Sequence, residues 1–287
     1  MHNAIVALMA AFLAAVPAHA QSPCGPIDHA ATFLATWTTR EPAPSPGPSL
    51  TMAEAVCTQG RLVEILSKTE GKPIGYKVGL TSPAAQAAFG VKAPVVGVLL
   101  EKMLLGDGAT VPASFGARPV FEGDLLATVR DDGINDAKTP MEIARHVSTI
   151  QPFIELPDLV IAEGQKLTAP VLVAINVGAR RGVVGTPVAM RADEAFVNAL
   201  ASMQVSLRDG SGAELGTAPG QAILGHPFNA IAFLAQELAA RGQRLKAGDI
   251  ISLGSFGRPL QPKPGQTVTA RYEGLPTGPL SVSVTFE

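Results

Sequence analysis

Residues 119–129 read PVFEGDLLATV, a run with the composition of a buried strand and two acids inside it. Val120, Phe121, Leu125, Leu126, Ala127 and Val129 are apolar, and Glu122 and Asp124 interrupt them. Side chains alternate along a strand, so positions i and i+2 share a face. Both carboxylates therefore point the same way on an otherwise apolar element. A third acid, Glu155, has similar company in QPFIELPDLV, between Phe153, Ile154 and Leu156. Burying an ionised carboxylate without a partner is costly even after relaxation, and three together also repel one another. A divalent cation answers both problems, and oxygen-only ligands select a hard ion rather than zinc. The plainer alternative is that E-x-D marks the solvent face of an antiparallel sheet. Spacing alone leaves both open.

The rest of the chain supplies elements to place around these acids. DHAATFLATWTTR reads as a short helix, and the prolines of EPAPSPGPS as an extended connector. Thr51–Ser67 predicts a helix capped by Thr51 with Glu54 three residues on. GYKVGLT reads as a strand, and SPAAQAAFG as a short helix begun by Ser82 and closed by Gly90. Beyond about residue 116, PVFEGDLLATVR, IQPFIELPDLV, APVLVAINVGA, GDIISLGSF, QTVTARYEG and LSVSVTFE predict strands, and MQVSLRDGSGAELG a hairpin around Asp209-Gly210. TPMEIARHV and HPFNAIAFLAQELAARG predict helices. Strands dominate and helices interrupt irregularly, which argues for an α+β chain rather than regular βαβ alternation. The expected division is a signal segment at 1–20, a proline-rich extension at 21–50, a smaller mixed part at 51–115 and a larger sheet-rich part at 116–287.

The chain has 287 residues, 47% hydrophobic and 16% charged, enough for a sizeable core. A net charge of -2 from 22 basic and 24 acidic residues, with no basic run, argues against a nucleic-acid partner. The start, MHNAIVALMAAFLAAVPAHA, has an apolar stretch followed by Ala18-His19-Ala20, the A-x-A pattern of a secretory signal peptide. It predicts export, with a periplasmic destination, and no membrane attachment after cleavage, since no later segment is long and apolar enough to span a bilayer. Two cysteines, Cys24 and Cys57, follow the cleavage point, and in an exported chain an even count predicts a disulfide. Closing a loop of that size stabilises by about 3–4 kcal/mol in the chain-entropy account.

Several motifs, taken in order, resemble the 2-keto-4-pentenoate hydratase branch of the fumarylacetoacetate hydrolase superfamily. GYKVGLTSPAAQAAFGV is similar to the G-x-K-x-G-x-T segment and helix, FEGDLL to the E-x-E strand, and FIEL to the later third acid. LGHPFNAIAFLAQEL is similar to the L-G-H-P-x-N-A helix entry, and LKAGDIISLGSFG to the L-x-x-G-D-I-I-x-x-G strand. The resemblance spans roughly residues 50–287 and implies a mixed β-sandwich or roll. It implies that Glu122, Asp124 and Glu155 hold Mg2+ or Mn2+, that Lys77 and His226 are catalytic, and that Gly79, Thr81, Asn176, Gly254 and Ser255 bind substrate. The implied partner is a small 2-keto acid or its dienol, as in the breakdown of aromatic-ring cleavage products, and the implied assembly is a homo-oligomer.

Carboxylate and 2-oxygen of such a substrate chelate one metal, whose charge stabilises an enolate. Water then adds to the conjugated carbon and gives a 4-hydroxy-2-keto acid. The chain departs from the branch at defined places. Ala174-Ile175-Asn176-Val177-Gly178 stands where the branch reads A-D-N-A-S, Val120 stands where it has arginine, with Arg118 two positions earlier, and Leu253 stands where it has a hydroxyl. Two other outcomes therefore stand beside hydration. One is a decarboxylase of an oxalocrotonate-like diacid, or an acylpyruvate C–C hydrolase, with Arg118, Arg180, Arg181 or Arg258 as partner for a second carboxylate. The other is an exported, non-catalytic keto-acid binding protein, favoured by Ile175 and Gly178.

Overall fold

Capping chemistry sets the first helices. In the computed structural model, which describes Cys24 and residues 28–287, α1 is Asp28–Thr39 and α2 is Met52–Glu70. Thr51 and Glu54 form a reciprocal capping box at the start of α2. The expected signal segment at 1–20 lies outside the described residues. The chain continues through β1 (Pro73–Gly79), α3 (Pro83–Phe89), β2 (Val95–Leu100), β3 (Leu104–Gly106), β4 (Ala109–Val111) and β5 (Glu122–Val129). Then come α4 (Pro140–Arg145), β6 (Val147–Leu156), α5 (Ala169–Ala174), β7 (Arg181–Val184), β8 (Val188–Ala189) and α6 (Glu194–Ser202). The last elements are β9 (Gln204–Asp209), β10 (Glu214–Pro219), α7 (Asn229–Ala240), β11 (Ile250–Ser252), β12 (Thr267–Glu273) and β13 (Leu280–Phe286).

Two sheets carry the α+β fold. The larger runs β2-β1-β11-β5-β6-β7-β3, with β8 added to β6, and the smaller runs β10-β9-β12-β13-β4. The larger is mixed: β1 pairs with β11 in parallel, while β11–β5, β5–β6 and β6–β7 are antiparallel. Leu125, Ala127, Ile150 and Ile154 of the larger sheet share one core with Val205, Val268, Ala270, Val282 and Val284 of the smaller. Phe121 meets Phe286 with ring centroids 5.4 Å apart. Burying side chains of this kind stabilises by about 1.5–3 kcal/mol each. A second core joins Phe33, Leu62, Leu66, Val171, Leu172 and Val173, so that α1, α2 and α5 pack together beside β2. Among the described residues, no helix is long and apolar enough to cross a membrane.

Three expectations change. APVLVAINVGA is not a strand: Thr168 caps a short helix with Pro170 in its first turn, and the chain then kinks at Asn176–Gly178. A short apolar run suits a buried helix as well as a buried strand, and here the cap decides. The division at residue 115 is not a boundary in space, because β1 lies between β2 and β11 in one sheet. The proline-rich stretch is anchored rather than free: Ala43 is buried and bridges to Ile161, giving its N–H to Val160 and accepting from Ala162. Cys24 and Cys57 form a disulfide, with Cα atoms 4.8 Å apart, that fastens the segment before α1 to α2.

Candidate active site

Register brings the acids together. β5 and β6 pair with Glu122 directly opposite Glu155 and Asp124 opposite Phe153. Opposed residues share a face, as do i and i+2, so all three carboxylates leave the same side of the larger sheet. Lys77 enters from β1, where it pairs with Ser252 of the three-residue β11. Its ammonium makes an ion pair with Glu155 and donates to Val177 O at 2.9 Å. Lys77 and Glu155 are 4% and 3% exposed, so both charges are withdrawn from water.

The carboxylates are not equally served. Asp124 is fully buried and its oxygens are occupied: Oδ1 accepts from Leu125 N–H at 2.5 Å and Gly254 N–H at 3.0 Å, and Oδ2 accepts from the Ser252 hydroxyl. Glu155 Oε1 has no hydrogen bond of acceptable geometry and relies on the Lys77 charge alone. Burial, and after it the negative charge of Glu155, push Glu122 up to about 7, against the opposing effects of Lys77 and a Ser255 hydrogen bond. The same two causes raise Asp124 well above the usual carboxylate range, opposed by Ser252, the Leu125 N–H and Lys77.

This donor set fits a hard divalent cation at Glu122 and Glu155: opposed oxygens, one of them orphaned, with charges the fold resists. Asp124 is turned onto Ser252 and Gly254, and among the described residues no three His, Cys, Asp or Glu side chains already form a metal-holding group. An aspartate arm is one methylene shorter than glutamate, and here it reaches its hydroxyl and amide partners instead.

The other expected residues separate into two groups. Gly254 and Ser255 stand at the acids: Gly254 N–H binds Asp124, and Ser255, close enough to Glu122 to favour its charged form, gives its hydroxyl proton to Gly257 O at 2.7 Å. Thr81 is buried against Gly254, whose φ of 111° and lack of Cβ let Thr81 Oγ1 approach. Gly79 faces Val177, whose Cγ1 would lie 2.7 Å from a Cβ there. Asn176 does not face a substrate space. It is 1% exposed and its amide is spent on Val98, accepting from its N–H at 2.8 Å and donating to its carbonyl at 2.9 Å. His226 is likewise committed: Nδ1 accepts from Phe228 N–H at 3.0 Å, so Nε2 carries the proton and donates to Val197 O at 2.9 Å. Burial pushes its imidazolium form down in pKa, and the neutral ring is a backbone brace rather than a catalyst.

The four arginines also divide. Arg118 donates to Ile161 O, Arg180 to Asp158 and Trp37 O, and Arg181 to Glu70. Arg258 is exposed and lines a cavity of about 260 Å3 with Gly123, Leu207, Phe256 and Leu260. Gly123 faces Leu207 and Val205, so this cavity lies on the side of β5 away from the acids.

Sequence reasoning missed Ser252, Gln59 and Tyr272. Ser252 sits in an apolar strand as the acids do, which is a usable signal. Tyr272 is fully buried in β12, and its hydroxyl lies between the carbonyls of Asp124 and Phe153, which share its one proton, and accepts the Phe153 N–H, tying the second sheet to β5 and β6 beside the acids. A tyrosine within an apolar strand needs such partners.

No protein-family model matches the chain. Among curated proteins, 4-oxalocrotonate decarboxylase of Pseudomonas putida is 30% identical over 228 residues, 79% of this chain and 84% of the relative. The 2-keto-4-pentenoate hydratase of Paraburkholderia xenovorans (strain LB400) is 30% identical over 203 residues, 70% and 73% of the two chains. Among solved structures, 4-oxalocrotonate decarboxylase from Pseudomonas putida G7, complexed with magnesium and adipate, matches with a TM-score of 0.80 and 26% identity over 91% of this chain and 97% of that one. Fumarylpyruvate hydrolase from Pseudomonas aeruginosa matches in fold alone, with a TM-score of 0.53 and 16% identity over 74% of this chain and 89% of that one. The expectation of export to the periplasm is corrected: the relatives matched are named as decarboxylases and hydratases, and the first twenty residues, from which that expectation was drawn, lie outside the described residues.

Proposed function

Because the chain belongs to the 2-keto-4-pentenoate hydratase branch of the fumarylacetoacetate hydrolase superfamily, we propose that it is a divalent-metal-dependent hydro-lyase acting on a 2-hydroxydienoate or its 2-keto-4-enoate form. The observation that carries this reading is the opposed pair Glu122 and Glu155 with the Lys77 ammonium buried against it. Glu122 and Glu155 would hold Mg2+ or Mn2+, with Asp124, bonded to Ser252 and Gly254, on the same face beside them. The ion, when bound, supplies positive charge against which an anionic 2-oxygen is stabilised.

The chain's own residues do the rest. Lys77 Nζ, fixed by Val177 O and Glu155, faces the acid pair and moves a proton to or from the carbon chain beside it. Ser255, at the rim on Glu122, orients the polar end of the substrate. In the overall reaction the dienol proton ends on the distal carbon, the oxygen of water bonds to C4, its proton goes to C3, and a 4-hydroxy-2-keto acid results. A homo-oligomer belongs to the same reading and is measured by light scattering.

A second reading, decarboxylation, is favoured by the 0.80 TM-score to a decarboxylase across nearly the whole chain. It needs a cation for the second carboxylate. Of the four candidate arginines, Arg118, Arg180 and Arg181 are committed to other partners and Arg258 lines the cavity on the side of β5 away from the acids, so none of them stands at the acid pair. One experiment separates the two. The purified chain is stripped with a chelator, Mg2+ or Mn2+ is restored, and a 2-hydroxydienoate and an oxalocrotonate-type diacid are followed by ultraviolet absorbance. Metal-dependent loss of absorbance with water uptake supports hydration. Release of carbon dioxide supports decarboxylation, and binding without turnover contradicts both.

A further inference from the structure

Three successive residues, Asn176, Val177 and Gly178, have φ of 55°, 53° and 68°. Glycine takes this left-handed region freely and asparagine tolerates it, but a β-branched valine does not enter it without a compensating hold. Such outliers persist only where surrounding contacts over-determine them, and they cluster at functional sites.

The holds are visible. β2 is an edge strand, and its outward-facing backbone groups at Val96 and Val98 need partners. Asn176 covers both groups of Val98 with its amide, and Gln59 of α2 donates to Val96 O at 2.7 Å and to Asn176 Oδ1 at 3.3 Å. The turn is thereby pinned to the sheet edge from two sides. It lies over Gly97, the cross-strand partner of Lys77, where a Cβ would come within 2.8 Å of Asn176 O. In this position the Val177 carbonyl meets Lys77 Nζ at 2.9 Å, with Glu155 as the ammonium's other partner.

We infer that the left-handed turn Asn176–Gly178, pinned by the Gln59 and Asn176 amides, is a positioning device that aims the Val177 carbonyl at Lys77 and fixes where its ammonium stands. Asn176 and Gln59 are positioning residues, acting through Lys77 rather than on substrate. The inference rests on Lys77 being the proton-moving group of the proposed reaction, and it makes the strained turn, rather than the ion pair alone, the determinant of the Lys77 position.

The test uses the full chain with Mn2+ restored. Asn176→Gly keeps the left-handed backbone accessible and deletes only the amide, Gln59→Leu deletes the second amide at similar volume, and Asn176→Asp keeps the acceptor and the tolerance of the turn. Expected are a fall in kcat of roughly tenfold for Asn176→Gly with KM and Mn2+ affinity changed by less than about threefold, a smaller fall for Gln59→Leu, and partial recovery in Asn176→Asp. A crystal structure of Asn176→Gly is expected to show Lys77 Nζ more than about 3.5 Å from Val177 O, outside hydrogen-bond range. Unchanged kcat with only a lower Tm, or an undisplaced Lys77 in that crystal structure, overturns the inference. If the wild-type chain turns over neither substrate class, the proposed reaction falls, and the crystallographic measurement decides the positioning claim by itself.

Discussion

Glu155 and Asp158 stand three positions apart, both buried, and their surroundings are opposite. Asp158 is saturated. Oδ1 accepts from the N–H groups of Arg118 and Val160 at 2.8 and 3.3 Å, and Oδ2 accepts from Ala117 N–H at 2.9 Å and from Arg180 at 3.1 Å. Arg180 in turn lies over the Trp37 ring, 4.5 Å from its centroid, and Trp37 donates to Glu70, which also takes Arg181. Glu155 has Lys77 and no well-formed hydrogen bond, and Glu122 across the strand pair is held near its neutral form by burial and repulsion. The contrast teaches that burial of an acid is not itself the mark of a site. Asp158, which braces the fold, is given four donors, whereas Glu155 is left with a charge partner and no such set.

The largest effect should come from breaking the saturated cluster. Asp158→Ala strands the buried Arg180 and the N–H groups of Ala117, Arg118 and Val160, and should destabilise by about 3–5 kcal/mol, read by urea unfolding. Metal affinity of the remaining folded protein should be unchanged. At the unsaturated site the balance reverses. Glu122→Gln should lower Mn2+ affinity by on the order of 100-fold or more, read by calorimetry, and should leave the metal-free fold as stable as wild type or more so at pH 8, because it removes a repelling charge.

Acidity sharpens the same contrast. Glu122 keeps its proton in the folded chain up to about 7 but releases it near 4.5 when unfolded. Between those values the folded state binds more protons, so metal-free stability is full below the lower value and falls as pH rises through the upper one. The loss should be on the order of 2 kcal/mol, discounted for the partial exposure of Glu122, and a pH series of thermal melts should show it without metal and not with saturating Mn2+. The smallest effect belongs to Trp37→Phe, which keeps a ring beneath Arg180 and loses one hydrogen bond to Glu70; about 1 kcal/mol of stability should go, with no change at the acids.

The acids were legible because charged residues inside apolar strands conflict with their local pattern, and the two-residue period gives Glu122 and Asp124 a shared face, whereas Lys77 was singled out by the G-x-K-x-G-x-T resemblance. The facing of Glu122 and Glu155 follows from the same period once β5 and β6 pair. Asn176 turned away from the expected substrate space because motif position carries no direction: its partner, Val98, lies 78 residues away in the chain, and His226, expected at a helix entry, bonds to backbone there. The left-handed turn was invisible for the same reason. Its φ values answer to the edge of β2 and to Gln59, and a valine at its centre contradicts local preference. The apolar run at 169–174 failed differently, since a short buried helix and a short buried strand share one composition and only the Thr168 cap separates them.

Titrating Mn2+ into the chelator-stripped chain and into Glu122→Ala, with circular dichroism to verify the fold of both, tests the central claim most directly. The account predicts binding by the wild-type chain and none by a folded Glu122→Ala. Equal Mn2+ binding by the two would contradict it.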